Sequence, residues 1–212
     1  MIEETVPDRR AALKARHRAA ILEAARKLVE ERGGPRFSVD ELADRADVAR
    51  RTVFNHFASL DEVLLTLCAD ELVVVVDQFT ASVAGTPVGD GSRAALFDEL
   101  SVALRSADLP SPIRRITTIL DIRDPGDSRA NVVSDMAYNR VGELLRHEIA
   151  RRYDAADPLD VQLLVGSLMS GLAVIAAHWI AGAMPSDTSR AGWDELLTRL
   201  IDSIRSGYMP QR

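Results

Sequence analysis

The chain has 212 residues, of which 47% are hydrophobic and 27% charged, and its net charge is −6. This composition is typical of a globular protein, and the length suits one large domain or a small domain plus a larger one. The negative balance argues against a surface that binds nucleic acid over its whole extent. A single cysteine, Cys68, excludes a disulfide within the chain. Together with a polar start that lacks the apolar run of a signal peptide, it leads us to expect a cytoplasmic protein.

The first predicted helix spans residues 10–32, where apolar residues recur at intervals of three and four before 33–35 (GGP) ends it. Its start, 9–18, holds five basic residues and no acid. Residues 1–58 carry 12 Lys and Arg against 10 Asp and Glu, a net +2, whereas 59–212 carry 14 against 22, a net −8. A basic end on an acidic body fits a DNA-binding head, although a solvated helix end would give the same pattern.

Residues 37–57 predict two short helices joined by a tight turn. Ser38 and Glu41 have the spacing of a capping box at the start of the first one. Asp47 stands in the turn, where Asp tolerates a left-handed backbone better than most residues. The second short helix is predicted at about 49–56.

The outward side of this second helix carries basic and hydrogen-bonding side chains. Val53 and Phe57, four residues apart, share its inward face. Arg pairs well with guanine, Asn with adenine, and an Arg can instead hold a phosphate. The pattern therefore predicts a helix-turn-helix whose second helix enters the major groove, with an ordinary solvated amphipathic helix as the alternative. The residues that we expect at bases are Arg50, Arg51 and Asn55; those at phosphates are Ser38, Thr52 and His56; those beside them are Arg16, Arg18 and Phe54.

Helices are predicted along the rest of the chain as well. A second capping box at Ser59 opens one that runs to about Ala84, and we interpret its valine run as helical because the pattern before it is long and capped. Further helices are predicted at 93–108, 111–122, 128–153, 158–183 and 192–207, with a loop at 86–92 and a turn at 123–127. The apolar side of 128–153 is expected to comprise Val132, Val133, Met136, Val141, Leu144, Leu145 and Ile149.

No segment predicts a strand, so the expected fold is all-α with about nine helices. A DNA-binding domain is expected over 1–58 and a helical dimerisation domain over 59–212. Residues 161–186 contain no charged side chain. Their length permits a membrane span, but glycines, serines and His178 dilute the run, and a helix that is apolar nearly all round must be buried. We expect no membrane, and instead a homodimer whose subunits each contribute this helix and the last one.

Several segments together form a recognisable pattern. They are residues 21–25 (ILEAA), 37–43 (FSVDELA), 46–48 (ADV), 51–57 (RTVFNHF) and 59–64 (SLDEVL). In these segments and in its order of helices the chain resembles the TetR/AcrR family of transcriptional regulators. The resemblance implies a homodimeric, ligand-responsive repressor of a palindromic DNA operator, with half-sites about 34–36 Å apart or a multiple of that spacing.

The resemblance also implies that the domain over 59–212 binds ligand: its helices 5–7 would enclose a small-molecule inducer, which releases the repressor from its operator. No cofactor is expected. An interior with many aliphatic and few aromatic residues, 5% of the chain, suggests an apolar inducer. The candidate ligand-binding residues are Thr117, Thr118, Met136, Tyr138, Asn139, Arg140, His178 and Trp179. His178 and Trp179 are equally plausible at the dimer interface.

Four positions depart from the family pattern. Asp47 stands where the family often has Gly. Ala49 replaces a Ser or Thr, so the recognition helix lacks a side-chain cap worth about 1 kcal/mol. Phe54 replaces a Tyr whose hydroxyl reaches a phosphate, and Leu60 replaces a phosphate-binding Lys. Fewer phosphate contacts imply a shallower dependence of DNA affinity on salt.

Catalytic patterns are weak in this sequence. Glu143 and His147 are one helical turn apart, but Arg151 breaks any HExxH zinc motif. No phosphate-binding glycine loop or metal-ligand spacing is found, so we expect no enzyme and no metal. The alternatives to a DNA-binding regulator are a helical small-molecule carrier or enzyme, and a protein-interaction module that does not act on DNA.

Overall fold

The computed structural model describes residues 9–85, 89–90, 92–122, 128–153, 157–181 and 190–207. These residues form nine α-helices and no strand, which confirms the all-α prediction. The helices are α1 (Arg9–Arg32), α2 (Val39–Arg45), α3 (Arg50–His56), α4 (Leu60–Gly85), α5 (Arg93–Ser106), α6 (Pro110–Leu120), α7 (Ser128–Arg152), α8 (Pro158–Ala181) and α9 (Arg190–Ser206). The predicted turn at 123–127, most of the predicted loop at 86–92 and the predicted helix end after 181 lie outside the described residues.

The chain divides into two compact units. The first contains the residues up to Cys68 together with Thr118–Asp121, and the second contains Ala69–Thr117 and Ile122–Arg212. Helix α4 begins in the first unit and continues into the second. The functional division at residue 58 stays a prediction.

The core of the first unit is built on the apolar stripe of α1. Ile21, Ala25 and Leu28 are at most 2% exposed, at the spacing of three and four that the sequence predicted. Leu42 of α2 and Phe57, directly after α3, are buried as well. Because α2 and α3 are only seven residues long, this shared core rather than helix propensity holds them in place.

Two serine caps begin the helices around the turn. The Glu41 N–H donates to Ser38 Oγ at 3.2 Å, and the Ser38 N–H donates to Glu41 Oε2 at 2.8 Å, which completes the predicted capping box. At the start of α4 the Glu62 N–H donates to Ser59 Oγ. There the Glu62 carboxylate accepts from the Ala58 N–H, one residue earlier than in a regular box.

Helix α4 includes the valine run, as predicted. Val76 is buried, whereas Val74 is 41% exposed. The valine run thus has a buried and an exposed side, as in a helix, because it lies within a long capped helix. On α7 the predicted apolar side is wrong at Val132 and Leu144, which are 44% and 40% exposed. Each precedes a buried residue by one position and is therefore turned about 100° away from the core.

In the second unit α8 packs against α7 and α9. The rings of Trp179 on α8 and Trp193 on α9 meet edge to face, with centroids 5.7 Å apart. Gly171 lies against Leu200 so closely that a Cβ atom there would come within 2.2 Å of the Leu200 side chain. The absence of a side chain at Gly171 therefore allows α8 and α9 to approach within one subunit.

A buried polar cluster joins α4, α5 and α7. The carboxylate of Glu99, which is 7% exposed, lies 2.9 Å from the guanidinium of Arg152. It also accepts a hydrogen bond from the Tyr153 hydroxyl at 2.5 Å. Arg152 donates in turn to the carbonyl of Val83. Burial, followed by this hydrogen bond to Glu99, raises the pKa of Tyr153, so the hydroxyl keeps its proton and remains a donor.

Candidate nucleic-acid interface

The turn before α3 fixes the direction in which that helix leaves α2. Asp47 adopts a left-handed backbone with φ +52°, as expected for a short polar residue in a tight turn. The Val48 N–H donates to the carbonyl of Ala43 at 3.0 Å. Ala49 occupies the N-cap position of α3 without a side-chain hydrogen bond, which confirms that the cap usual for such a helix is missing here.

Helix α3 buries one face and exposes the other. Val53 and Phe57 are 3% and 1% exposed. Arg51 and Asn55 are exposed, and Phe54 is 45% exposed. The outward face therefore presents a guanidinium, an amide and an aromatic ring, which is a set of groups that can hydrogen-bond to base edges and contact their apolar parts.

The basic half of α1 lies beside the end of α3. The ring centroids of His17 and His56 are 6.2 Å apart, and the two rings are nearly perpendicular. The guanidinium of Arg18 lies over the Phe57 ring, 4.4 Å from its centroid. These two contacts place cationic side chains of α1 next to the C-terminal end of the helix predicted to read DNA.

Ion pairs neutralise much of the acidity of this unit. Glu23 pairs with Arg26 and Lys27, Glu31 with Arg45, Glu41 with Arg32, and Asp40 with Arg50. Among the described residues, the cations of this unit without an acidic partner are Arg9, Lys14, Arg16, Arg18, Arg36 and Arg51. The positive charge that remains available to an external anion is thus concentrated on the first half of α1 and on α3.

Two of the groups with shifted pKa values in this unit are His56, at the end of α3, and Glu41, in the cap of α2. Burial, together with the neighbouring His17, Lys14 and Arg18, lowers the pKa of His56 below its usual 6.5. Hydrogen bonds from Arg32 and from Ser38 lower the pKa of the Glu41 carboxyl to about 2. Glu41 is therefore ionised at neutral pH, and His56 is mostly neutral in the free protein.

Residues 21–67, which include α2, the turn and α3, match the family model described as bacterial regulatory proteins, tetR family. This segment therefore carries the DNA-binding domain found in the TetR family of transcriptional regulators. No curated protein matches it closely enough to count as a relative.

Two solved structures share the fold of this chain. The fatty acid degradation regulator FadR from Bacillus halodurans is 16% identical, with a TM-score of 0.56 over 92% of this chain and 97% of its own. The TetR family repressor AlkX from Dietzia sp. strain DQ12-45-1b, implicated in the biodegradation of n-alkanes, is 19% identical, with a TM-score of 0.52 over 88% and 94%. At these identities the likeness concerns the fold.

The structure brings together most of the residues predicted to bind DNA. Arg51, Phe54 and Asn55 share the outward face of α3, and Arg18 and His56 flank its end. The hydroxyl of Ser38 caps α2. Arg16 is exposed on α1, and Thr52 is half-buried in the first turn of α3.

Two residues of this surface were not predicted from the sequence. Asp40 binds Arg50, and His17 contacts His56. Each contact joins different helices, ten and 39 positions apart, so no spacing rule within one helix could have indicated it. The five basic residues of 9–18 marked that segment as cationic, but they did not distinguish His17.

The residues predicted to bind an inducer do not form one group. Thr117 is half-buried, and its hydroxyl donates to the carbonyl of Ile113. Tyr138, Asn139 and Arg140 are exposed on α7, as is His178 on α8, whereas Trp179 is buried against Trp193. Met136 is half-buried, and Thr118 is exposed and belongs to the first unit. Their ligand-binding role stays a prediction.

A narrow apolar cavity lies between α4 and α7, away from those residues. It is lined mainly by Val76, Phe79, Val83, Val141 and Leu145. Its free space is about that of one water molecule, so in this conformation it cannot hold an organic ligand. Among the described residues, no three His, Cys, Asp or Glu side chains are grouped so that they could hold a metal ion.

Helix α8 exposes large aliphatic side chains. Leu159, Leu163 and Val174 are 62%, 54% and 57% exposed, and at 100° per residue they lie within about 60° of one another. By length and composition α8 could cross a membrane, and 22% of its most apolar window is buried. A helix at a subunit interface of a soluble protein has the same character.

Proposed function

We propose that this TetR-family protein is a homodimeric repressor that binds a palindromic operator through α3 and leaves it when a small apolar molecule binds. The observation that carries the proposal is the outward face of α3. Arg51 and Asn55 are exposed and have no ion-pair or hydrogen-bond partner within the described chain. They stand beside the cationic half of α1, which supplies the phosphate attraction that a base-reading helix needs.

The exposed aliphatic stripe of α8 supports the homodimer. Burying large aliphatic side chains stabilises an interface by about 25 cal/mol per Å² of apolar surface. A two-fold axis would pair the stripe with its own copy, because an isologous interface uses the same surface on both subunits. The same axis would place the two α3 helices on the two halves of a palindrome.

The aliphatic interior of the second unit supports an apolar inducer. The cavity between α4 and α7 is lined by six aliphatic or aromatic side chains together with Thr80 and Glu148, and an inducer would have to open it. FadR and AlkX, which share the fold, are named for fatty acid degradation and n-alkane biodegradation. We assign DNA binding, in the cytoplasm, to residues 1–58. We assign binding of the inducer and of the second subunit to residues 59–212. The inducer acts only if it binds the DNA-free shape of the dimer more tightly than the DNA-bound shape.

The test is a gel-shift assay on the DNA upstream of the protein's own gene, with random duplex of equal length as competitor. Arg51→Ala and Asn55→Ala should each weaken specific binding by about 1–3 kcal/mol. Arg45→Ala is the control, since it removes the same charge as Arg51→Ala. Arg45 pairs with Glu31, which lies about 21 Å along α1 from His17. Arg45→Ala should leave binding within about twofold of wild type. If Arg51→Ala and Asn55→Ala bind the specific DNA as tightly as wild type and Arg45→Ala do, α3 does not read DNA.

A further inference from the structure

Arg50, the first residue of α3, is bound to a carboxylate of α2. Its Nη1 atom donates to both carboxylate oxygens of Asp40, at 2.8 and 2.7 Å. The contact joins the N-terminal turns of the two helices. A negative group at this position repels the phosphates that the surrounding cations attract, so it lowers affinity for DNA of any sequence.

Stability does not account for this pair. The side chains of Arg50 and Asp40 are 58% and 63% exposed, and ion pairs in water at that exposure contribute little to folding. What the contact does change is the freedom of the Arg50 side chain, which would otherwise occupy many rotamers.

A second contact restricts the same guanidinium. The Arg50 Cζ atom lies 5.6 Å from the centroid of the Phe54 ring, one turn further along α3. Phe54 stands where many relatives carry a tyrosine, and it cannot donate to a phosphate. Its ring instead lies beside Arg50, on the side of α3 that is exposed.

The contacts leave one edge of the guanidinium unoccupied. Asp40 uses only Nη1, and within the described chain Nη2 and Nε of Arg50 have no acceptor. These atoms present parallel N–H donors, the geometry that matches O6 and N7 of guanine in the major groove. Within the described chain no such contact positions Arg51, whose guanidinium keeps its choice of rotamers.

We propose that Asp40 is a positioning residue that holds Arg50 for the recognition of one guanine in each half-site. The inference rests on the proposed function and adds to it the base that is read and the residue that directs the reading.

The test is selection from a random duplex library by the full-length protein, followed by Kd measurements on the enriched sequence. Wild type should require guanine at one symmetry-related pair of positions, and replacing it should weaken binding by about tenfold or more. In Asp40→Ala, replacing the guanine should weaken binding by only about threefold or less. The Kd for random duplex should decrease, because a negative charge that repels phosphates has been removed. Arg50→Ala should lose the guanine requirement at the same positions, because no donor then reaches O6 and N7 of guanine.

Asp44→Ala is the matched control, since Asp44 is an exposed carboxylate one turn along α2 without a contact to Arg50. It should keep the full guanine penalty. A sequence enriched by wild type without a required guanine, or a penalty that is undiminished in Asp40→Ala, overturns this inference and leaves the proposed function standing. Failure of wild type to enrich any sequence overturns both.

Discussion

His17 of α1 and His56 at the end of α3 meet edge to face, with ring centroids 6.2 Å apart. Lys14 and Arg18 lie near the same pair and, with burial and His17, lower the pKa of His56. Protonation of His56 beside these cationic side chains is unfavourable unless an anion lies nearby. The arrangement therefore favours protonation of His56 at the moment when a phosphate binds beside it.

The first prediction is that DNA binding strengthens as the pH falls. Because the pKa of His56 lies below 6.5 in the free protein and a phosphate raises it, binding takes up at most about one proton per subunit at this site. The Kd should be measured by fluorescence anisotropy between pH 5.5 and 8 at constant ionic strength. His56→Gln should flatten the profile, whereas His147→Gln on α7 should not. A slope that survives in His56→Gln would remove this residue from the interface.

The free protein should respond to pH in the opposite direction. A histidine whose pKa is depressed by folding is protonated more readily in the unfolded chain. This contribution to stability is complete above pH 6.5 and is lost as the pH falls from 6.5 through the lower pKa of the folded state. Thermal unfolding of wild type and His56→Gln between pH 5 and 8 measures it. The melting temperature of wild type relative to that of the variant should rise as the pH increases from 5, and should stay constant above neutral pH. A relative melting temperature that falls with increasing pH would contradict the sign.

The second prediction concerns the cap that orients α2. Arg32 makes the largest contribution to the low pKa of Glu41, about 2. The stabilisation that accompanies this shift is complete above the ordinary carboxyl pKa of 4.5 and disappears as the pH falls from 4.5 towards 2. A carboxyl-detected NMR titration should show the pKa of Glu41 moving towards 4.5 in Arg32→Gln. Arg26→Gln, which alters the pair with Glu23, should leave it unchanged.

The third prediction is that α8 holds the dimer together. Val174→Glu places two charges in the proposed interface and should yield monomers, because an unpaired charge is costly to bury. Val102→Glu on α5 is matched in residue type and exposure, 56% against 57%, and should remain dimeric. Sedimentation velocity distinguishes the two. A dimer of unchanged affinity in Val174→Glu would move the interface away from this stripe.

The fourth prediction is that the buried cluster of Glu99 is essential for the second unit. Glu99→Ala leaves the guanidinium of Arg152 buried without its carboxylate, a change that typically costs about 3–5 kcal/mol of unfolding free energy. Asp98→Ala removes the neighbouring carboxylate, whose pair with Arg205 is exposed, and should cost less than about 1 kcal/mol. Urea denaturation measures both. Equal losses in the two variants would contradict the role assigned to burial.

The sequence predicted well those features that depend on neighbours along the chain. The stripe on α1, the Ser38 cap, the left-handed Asp47 and the helical valine run of α4 follow from local spacing and backbone preference. The Asp40–Arg50 contact and the Glu99–Arg152 pair join separate helices, so local rules could not indicate them. Val132 and Leu144 were assigned to the core because they are apolar, but their positions on α7 are turned away from it. Burial of a residue on α7 thus depends on its angular position around the helix as well as on its apolar character.

The measurement that tests the central claim most directly is dimethyl sulfate protection of a duplex enriched by the wild-type protein. Two copies of α3 in successive major grooves should protect guanine N7 atoms in two patches, with centres one helical turn, about 10–10.5 base pairs, or a multiple of it apart. Arg45→Ala should give the same pattern, and Arg51→Ala a weaker one. Protection confined to a single groove, or no protection of guanine N7 at saturating dimer, would contradict the account.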